Sequence, residues 1–226
     1  MVNYEVDPSL VAALVPRGTE LDRWSGHCYV SIVAFEFLNT RLRGIPIPFY
    51  SNFSEVNLRF YVRREAGSEL RRGVVFVREI VPRRAIALVA RLGYNERYIR
   101  LPMRHRITAG ESEIALEYAW KCKGAWCRIS AEARGTPELP PPGSEQQFIS
   151  EHYWGYSTAR GMGTIEYRVE HPSWRVWNCT RAQFAGDVAA LYGAALAAAL
   201  ARPPDSAFIA EGSPVTVYAG RPLGLK

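Results

Sequence analysis

A chain of 226 residues with 48% hydrophobic and 12% aromatic side chains can bury a sizeable core, which excludes a disordered chain and favours β structure over a helical bundle. Its 28 basic and 22 acidic residues give a formal net charge of +6, but the two signs interleave along the chain without a basic arm or helix face, so nucleic acid is not expected as a partner. Lys121, Lys123 and Lys226 are the only lysines, which leaves amine chemistry three side chains to work with.

In chain order, Pro8 to Leu14 suits one or two helical turns with Asp7 as cap, broken by Pro16-Arg17-Gly18. His27 to Phe37 reads as a strand apolar on nearly both faces, hence central in its sheet. Gly44 to Pro48, with two prolines, reads as a rigid loop. The best-patterned stretch follows. Val56, Leu58, Phe60 and Val62 alternate with Glu55, Asn57, Arg59, Tyr61 and Arg63, the period of a strand. A turn around Gly67 leads into Val74 to Ile80, an antiparallel neighbour whose Arg78 belongs either to the Arg59 row or to the opposite layer. Pro82 to Leu92 predicts a helix ended by Gly93, and Tyr94 to Tyr98 leaves it as a polar and aromatic loop of the kind that delivers side chains to a site.

Tyr98 to Thr108, Ser112 to Lys121 and Trp126 to Arg134 read as successive antiparallel strands. Pro137 to Gly143 is a stiff proline-rich linker inside what reads as one domain over residues 1–226. Ser144 and Gln147 form the pattern of a capping box. A hairpin from Tyr153 to His171, a strand Trp174 to Trp177, an alanine-rich helix Val188 to Ala201 and a strand Ser213 to Tyr218 complete the chain. The alanine helix is too short to span a membrane, so no membrane partner is expected.

No phosphate-cradling glycine loop, nucleophile elbow or zinc motif occurs, so neither metal nor cofactor is expected. The four cysteines form no Cys-x-x-Cys pair, although Cys122 and Cys127 flank a turn and could face each other. The early Glu5 and Asp7 leave no signal peptide, which points to a cytoplasm and reduced thiols. Glu55 is the sharpest candidate. Beside Asn57 and Arg59 it is either one half of a solvated cross-strand ion pair or, if buried, an acid or base.

Val15-Pro16-Arg17-Gly18-Thr19-Glu20-Leu21-Asp22, Phe53 to Arg59 with Tyr61-Val62-Arg63, Gly93-Tyr94, Pro142-Gly143 before Phe148, and His171-Pro172 with Trp174 occur in a telling order. In this the chain resembles the YqjF-like proteins, a bacterial family of unknown function related to the acetoacetate-decarboxylase-like superfamily. The resemblance implies an α+β, predominantly antiparallel fold closing into a β-barrel or cone around a cavity, with a few packing helices, and it aligns Glu55 with the pocket glutamate of the decarboxylases. Where those enzymes carry Gly-Phe-Pro-Lys-Lys, this chain has Gly93-Tyr94-Asn95-Glu96-Arg97, so Schiff-base decarboxylation is not expected. The expectation is therefore a binder, leaning away from catalysis, of a small carboxylate-bearing organic acid held by Glu55, Asn57, Arg59, Tyr61, Arg78, Tyr94, Asn95, Glu96 and Arg97. The alternative is a lyase, hydrolase or isomerase of a keto or hydroxy acid with Glu55 as catalytic acid or base; a third class is an interaction protein whose basic face meets an acidic partner. Homo-oligomerisation would be one way to cover exposed strand edges.

Overall fold

The computed structural model describes residues 1–42, 45–46, 51–82, 97–159 and 163–224. Nearly all of the expected helix Pro82 to Leu92, parts of the loop Gly44 to Pro48, and Tyr94, Asn95 and Glu96 lie outside the described residues.

Twelve strands carry the architecture. They are β1 (Val2–Glu5), β2 (Tyr29–Phe37), β3 (Phe53–Ala66), β4 (Glu69–Val81), β5 (Tyr98–Arg100), β6 (Met103–Ala109), β7 (Glu113–Cys122), β8 (Ala125–Arg134), β9 (Trp154–Ala159), β10 (Gly163–Glu170), β11 (Val176–Ala185) and β12 (Ser206–Ala210). The helices among the described residues are short: α1 (Ser9–Ala12), α2 (Glu145–Ser150), α3 (Ala189–Tyr192) and α4 (Ala194–Leu200). The alanine run expected as one helix is two, because Gly193 takes φ 87° and ψ 159° between them. Ser144 caps α2 as the sequence pattern implies, its side chain accepting from the Gln147 amide.

β3 and β4 form a long hairpin about Gly67-Ser68, where Gly67 supplies the left-handed φ of 67° that the two-residue turn needs. The central strand β2 lies between β1 and β3. Pairing continues in the order β10-β9-β4-β3-β2-β1-β12-β11-β8-β7-β6, with Thr216–Val217 outside β10 and β5 added parallel to β4. All of these pairs are antiparallel except β4 with β5 and β4 with β9. Strands from both sides of the proline-rich stretch therefore share one sheet.

The closed or cone-shaped β-barrel is not formed. The sheet is open: β6 at one end and Thr216–Val217 at the other do not pair. β6 approaches β3 through side chains, with His105 Nδ1 3.0 Å from Ser54 Oγ, and its exposed Arg104, His105 and Arg106 suit an edge left unpaired. In the β7–β8 hairpin, Cys122 stands opposite Ala125 and Cys127 opposite Trp120, and all four cysteines are free.

The apolar row of β3 lies in the main core, where Val56, Leu58, Phe60 and Val62 pack with Val2, Tyr4, Val30, Ile32 and Trp120. A second cluster, Tyr29, Tyr61, Val74, Phe148, Ile149, Val176 and Phe208, brings α2 against the sheet. Gly73 permits the parallel junction of β4 with β9, since a Cβ there would stand 2.7 Å from the Trp154 carbonyl oxygen and 2.6 Å from the Tyr156 ring. The backbone oxygen cannot swing aside. Gly73→Ala should cost about 1–3 kcal/mol of stability, read as a lowered urea midpoint with an unchanged m-value.

Candidate active site

Because a strand in mid-sheet has both faces covered, the polar row of β3 is buried along with the apolar one. Glu55 and Asn57 are each 2% exposed. Asn57 Nδ2 donates to Glu55 Oε1 at 3.0 Å, and the Tyr98 hydroxyl on β5 donates to Oε2 at 3.1 Å. Burial raises the Glu55 pKa to about 7, and hydrogen bonds from Asn57 and Tyr98 and the charge of Arg59 oppose that rise only in part. Register sets Glu79 opposite Asn57 and alongside Tyr98. Burial, together with the charges of Glu55 and Glu79, drives the Tyr98 pKa well up.

Other buried acids are treated differently. Glu166 is 1% exposed and meets Arg64, Arg71 and Arg221 at 3.0, 2.7 and 3.3 Å. Asp22 is 3% exposed and is held by Arg72 at 2.7 Å and His152 at 3.1 Å, and these two partners keep its carboxyl below the usual range against the upward pull of burial. Among the described residues no salt bridge reaches Glu55; its hydrogen-bond donors are neutral. Paired acids of the first kind hold elements together, whereas a buried acid poised near neutrality is suited to proton transfer.

Of the residues expected at the site, the structure gathers Glu55, Asn57 and Arg59. Arg59 Nη2 donates to the Ile149 carbonyl at 3.0 Å, while its buried Nε has no hydrogen-bond partner among the described residues. Tyr61 points the same way but is engaged in packing, its hydroxyl 2.7 Å from Ser31 Oγ and its ring against Phe148 and His152. Arg78 falls on the other face: it pairs with Leu58 and its Nε donates to the Leu191 carbonyl of α3 at 3.2 Å. Arg97 is exposed and contributes its carbonyl to the Glu79 amide.

A β-bulge explains both Arg78 and the unforeseen Glu79. Leu58 pairs with Arg78 and Arg59 with Phe76, so Val77 is the extra residue and alternation along β4 changes phase there. Val75 and Val77 share the main core with Ile80, and Glu79 turns to the polar row. The only sequence sign of this was the adjacent pair Arg78-Glu79 within an otherwise apolar run.

Phe35 stands opposite Glu55, its ring edge-on to Phe37 at 4.9 Å, and Phe37 meets Phe53 at 4.7 Å, giving the polar cluster an aromatic flank. Lys121 and Lys123 are exposed on the β7–β8 hairpin. Among the described residues no group of three His, Cys, Asp or Glu side chains is arranged to hold a metal ion, and no helix is long and apolar enough to cross a membrane. A surface groove of about 840 Å³ beside Arg71, Trp154 and His171 is lined by none of the Glu55 cluster.

The family profile DUF2071, described as an uncharacterized conserved protein, matches residues 1–214. The uncharacterized protein YqjF of Bacillus subtilis is 28% identical over 180 residues, which are 78% of this chain and 71% of that protein. Among solved structures, an acetoacetate decarboxylase-like enzyme from Sphingomonas wittichii is similar with TM-score 0.59 and 14% identity, covering 97% of this chain and 85% of that one. The enduracididine biosynthesis enzyme MppR complexed with pyruvate gives 0.61 and 14%, covering 97% and 80%. Acetoacetate decarboxylase from Legionella pneumophila gives 0.55 and 11%, covering 97% and 78%. At these identities the likeness establishes the fold. The leaning toward a non-catalytic binder is corrected here, since the proteins that share this fold are enzymes and the Glu55 cluster has the composition of an acid–base site. The chain belongs to the DUF2071 family of uncharacterized conserved proteins.

Proposed function

We propose that this protein is an enzyme that uses Glu55 as a general acid and base on a small keto or hydroxy acid, as a lyase, hydrolase or isomerase. The observation that carries the reading is the buried Glu55 carboxyl, supported by neutral donors and poised at about 7, where a group can both take and return a proton at working pH. Asn57 fixes one carboxylate oxygen and so orients the other. The buried, unpartnered Nε of Arg59, whose charge Glu55 feels, favours a carboxylate on the substrate. The pyruvate in the MppR complex supports a small 2-oxo acid as the ligand class. The aromatic flank of Phe35, Phe37 and Phe53 suits the apolar side of such a molecule. No step of this reading needs an amine. Four free thiols support a reducing, cytoplasmic setting.

A screen of 2-oxo and 2-hydroxy acids should therefore give turnover that Glu55→Gln lowers by ~10²–10⁴-fold in kcat with little change in KM, because the amide keeps the shape and loses the proton. Full turnover in Glu55→Gln would refute the assignment. If Glu55 acts first as a base, kcat/KM rises with pH through about 7 and then levels.

Stability should run the other way. The folded protein holds the Glu55 proton more tightly than an unfolded chain with a pKa near 4.5, so it loses stability as pH rises from about 4.5 to about 7. The contribution is on the order of 3 kcal/mol. Urea unfolding of wild type and Glu55→Gln across this window should show the slope in the first and its loss in the second.

A further inference from the structure

We infer that the groove beside Trp154 is a second site, separate from the Glu55 cluster, which takes the last residues of an extended peptide by their free C-terminal carboxylate. The groove is a strand position left open. β9 lies between β4 and β10 but begins only at Trp154, which pairs with Gly73 on one side and Arg168 on the other. Ahead of Trp154 the chain comes from α2 instead, and His152 packs on Tyr61 and Phe148. β4 and β10 nevertheless run on past that point, and both line the groove: Glu69 to Arg72 on one wall, Val169 to His171 on the other. Two interstrand spacings, roughly 9.5 Å, separate neighbours of a common strand, so the gap has the width of one more extended segment. The two-residue turn at Gly67-Ser68 makes Ala66 and Glu69 a hydrogen-bonded pair, and Glu69, Arg71 and Gly73 therefore turn their backbone groups to β3. Leu70 and Arg72 aim theirs into the gap, where no strand among the described residues pairs with them. The Val169 amide donates to the Tyr153 carbonyl at 2.9 Å, which marks the closed end.

Charge sets the direction of the occupant. At the closed end the Arg71 guanidinium lies 4.1 Å over the Trp154 ring, and Arg168 stands opposite Trp154 in the ladder. The buried Glu166 nearby is shared by Arg64, Arg71 and Arg221, three cations to one carboxylate. The open end carries Glu69, Glu170 and Glu151. Both oxygens of Glu151 accept from neutral donors, Ser173 at 2.7 Å and Gln147 at 3.1 Å, and no salt bridge reaches it among the described residues. A peptide entering C-terminus first, parallel to β4, places its carboxylate at the arginines and a basic side chain two or three residues earlier among the glutamates. Leu70, 53% exposed, gives it apolar contact between the two ends, and the Leu70 and Arg72 backbones pair with it as in strand addition. A small carboxylate alone would meet the arginines and leave the rest of the groove unused.

Fluorescence anisotropy with an N-terminally labelled Lys-Lys-Val-Val peptide, its C-terminus free, tests the site. Wild type should bind it, and amidating the C-terminus or replacing both lysines by glutamate should weaken binding ~10-fold or more. Arg168→Glu, at an exposed side chain, should weaken the free-acid peptide by a similar factor with the urea midpoint unchanged. Leu70→Pro deletes one N–H aimed into the gap, at a strand edge where proline is tolerated, and should also weaken it. Glu55→Gln should bind the peptide like wild type whatever its effect on turnover, so the two sites stand or fail separately. Equal affinity for the acid and the amide would overturn the site, as would undiminished binding in both Arg168→Glu and Leu70→Pro. Absence of binding at about 1 mM peptide would overturn it too.

Discussion

A strand in the middle of a sheet covered on both sides must bury both of its rows, and the fold around β3 follows from that constraint. The apolar row is satisfied by volume alone, and Val56, Leu58, Phe60 and Val62 pack into the main core. Glu55, Asn57 and Arg59 need partners, because an unpaired buried polar group costs about 1–3 kcal/mol. They find partners in one another, in the phenol of Tyr98 and in the Ile149 carbonyl at the end of α2, while Asn57 Oδ1 and Arg59 Nε are left without one among the described residues. α2 and β5 are thus tied to the sheet as suppliers of hydrogen bonds as well as packing.

How each buried acid is compensated separates structure from chemistry in this molecule. Glu166 gathers arginines from β3, β4 and the C-terminal segment, and Asp22 joins Arg72 of β4 to His152. Breaking either pair would strand a charge in the interior, which is why such clusters make poor catalysts and good staples. His152 completes the contrast: burial takes its pKa down to about 4, so it stays neutral, presents one N–H to Asp22 and acts as a spacer between Tyr61 and Phe148. At Glu55 the described donors, Asn57 and Tyr98, are neutral, so no cation pins its carboxyl in the ionised form among the described residues.

Much of this was legible in the sequence, because period-two alternation is a property of the chain itself. From it follow the β3 face assignment, the antiparallel β4 neighbour and the β7–β8 hairpin, whereas alternation leaves open whether the Glu55 row is solvated or buried. What failed to show depends on long-range geometry. A single bulge at Val77 reverses the faces of Arg78 and Glu79, and no local pattern announces it. Tyr98 reads as the junction of a loop and the strand that follows, since its parallel pairing with β4 is a long-range contact that no local pattern shows. β12, a five-residue strand between β1 and β11, shows no alternation strong enough to be recognised. Whether a curved sheet closes is likewise decided by its two farthest edges, so a resemblance that transmits the strand order need not transmit closure.

The open edge and the buried cluster are connected through β3. Ser54 and Glu55 are successive residues on opposite faces: Ser54 meets His105 of edge strand β6, and Glu55 meets Tyr98 of β5. His105 Nδ1 also lies 3.3 Å from Glu36, which faces Ser54 across the β2–β3 ladder. The edge strand is therefore fastened by side chains to the strand that carries the acid. Side-chain fastening leaves the backbone of β6 without a ladder on its outer side, yet it fixes the position of β3 from behind. In the role of general base proposed above, Glu55 would have to be held to within a fraction of an ångström, and two hydrogen-bonded neighbours on one face serve that end only if the strand itself does not shift. Positional rigidity at Glu55 thus comes from both faces of β3, while its chemical freedom comes from the absence, among the described residues, of an ion pair.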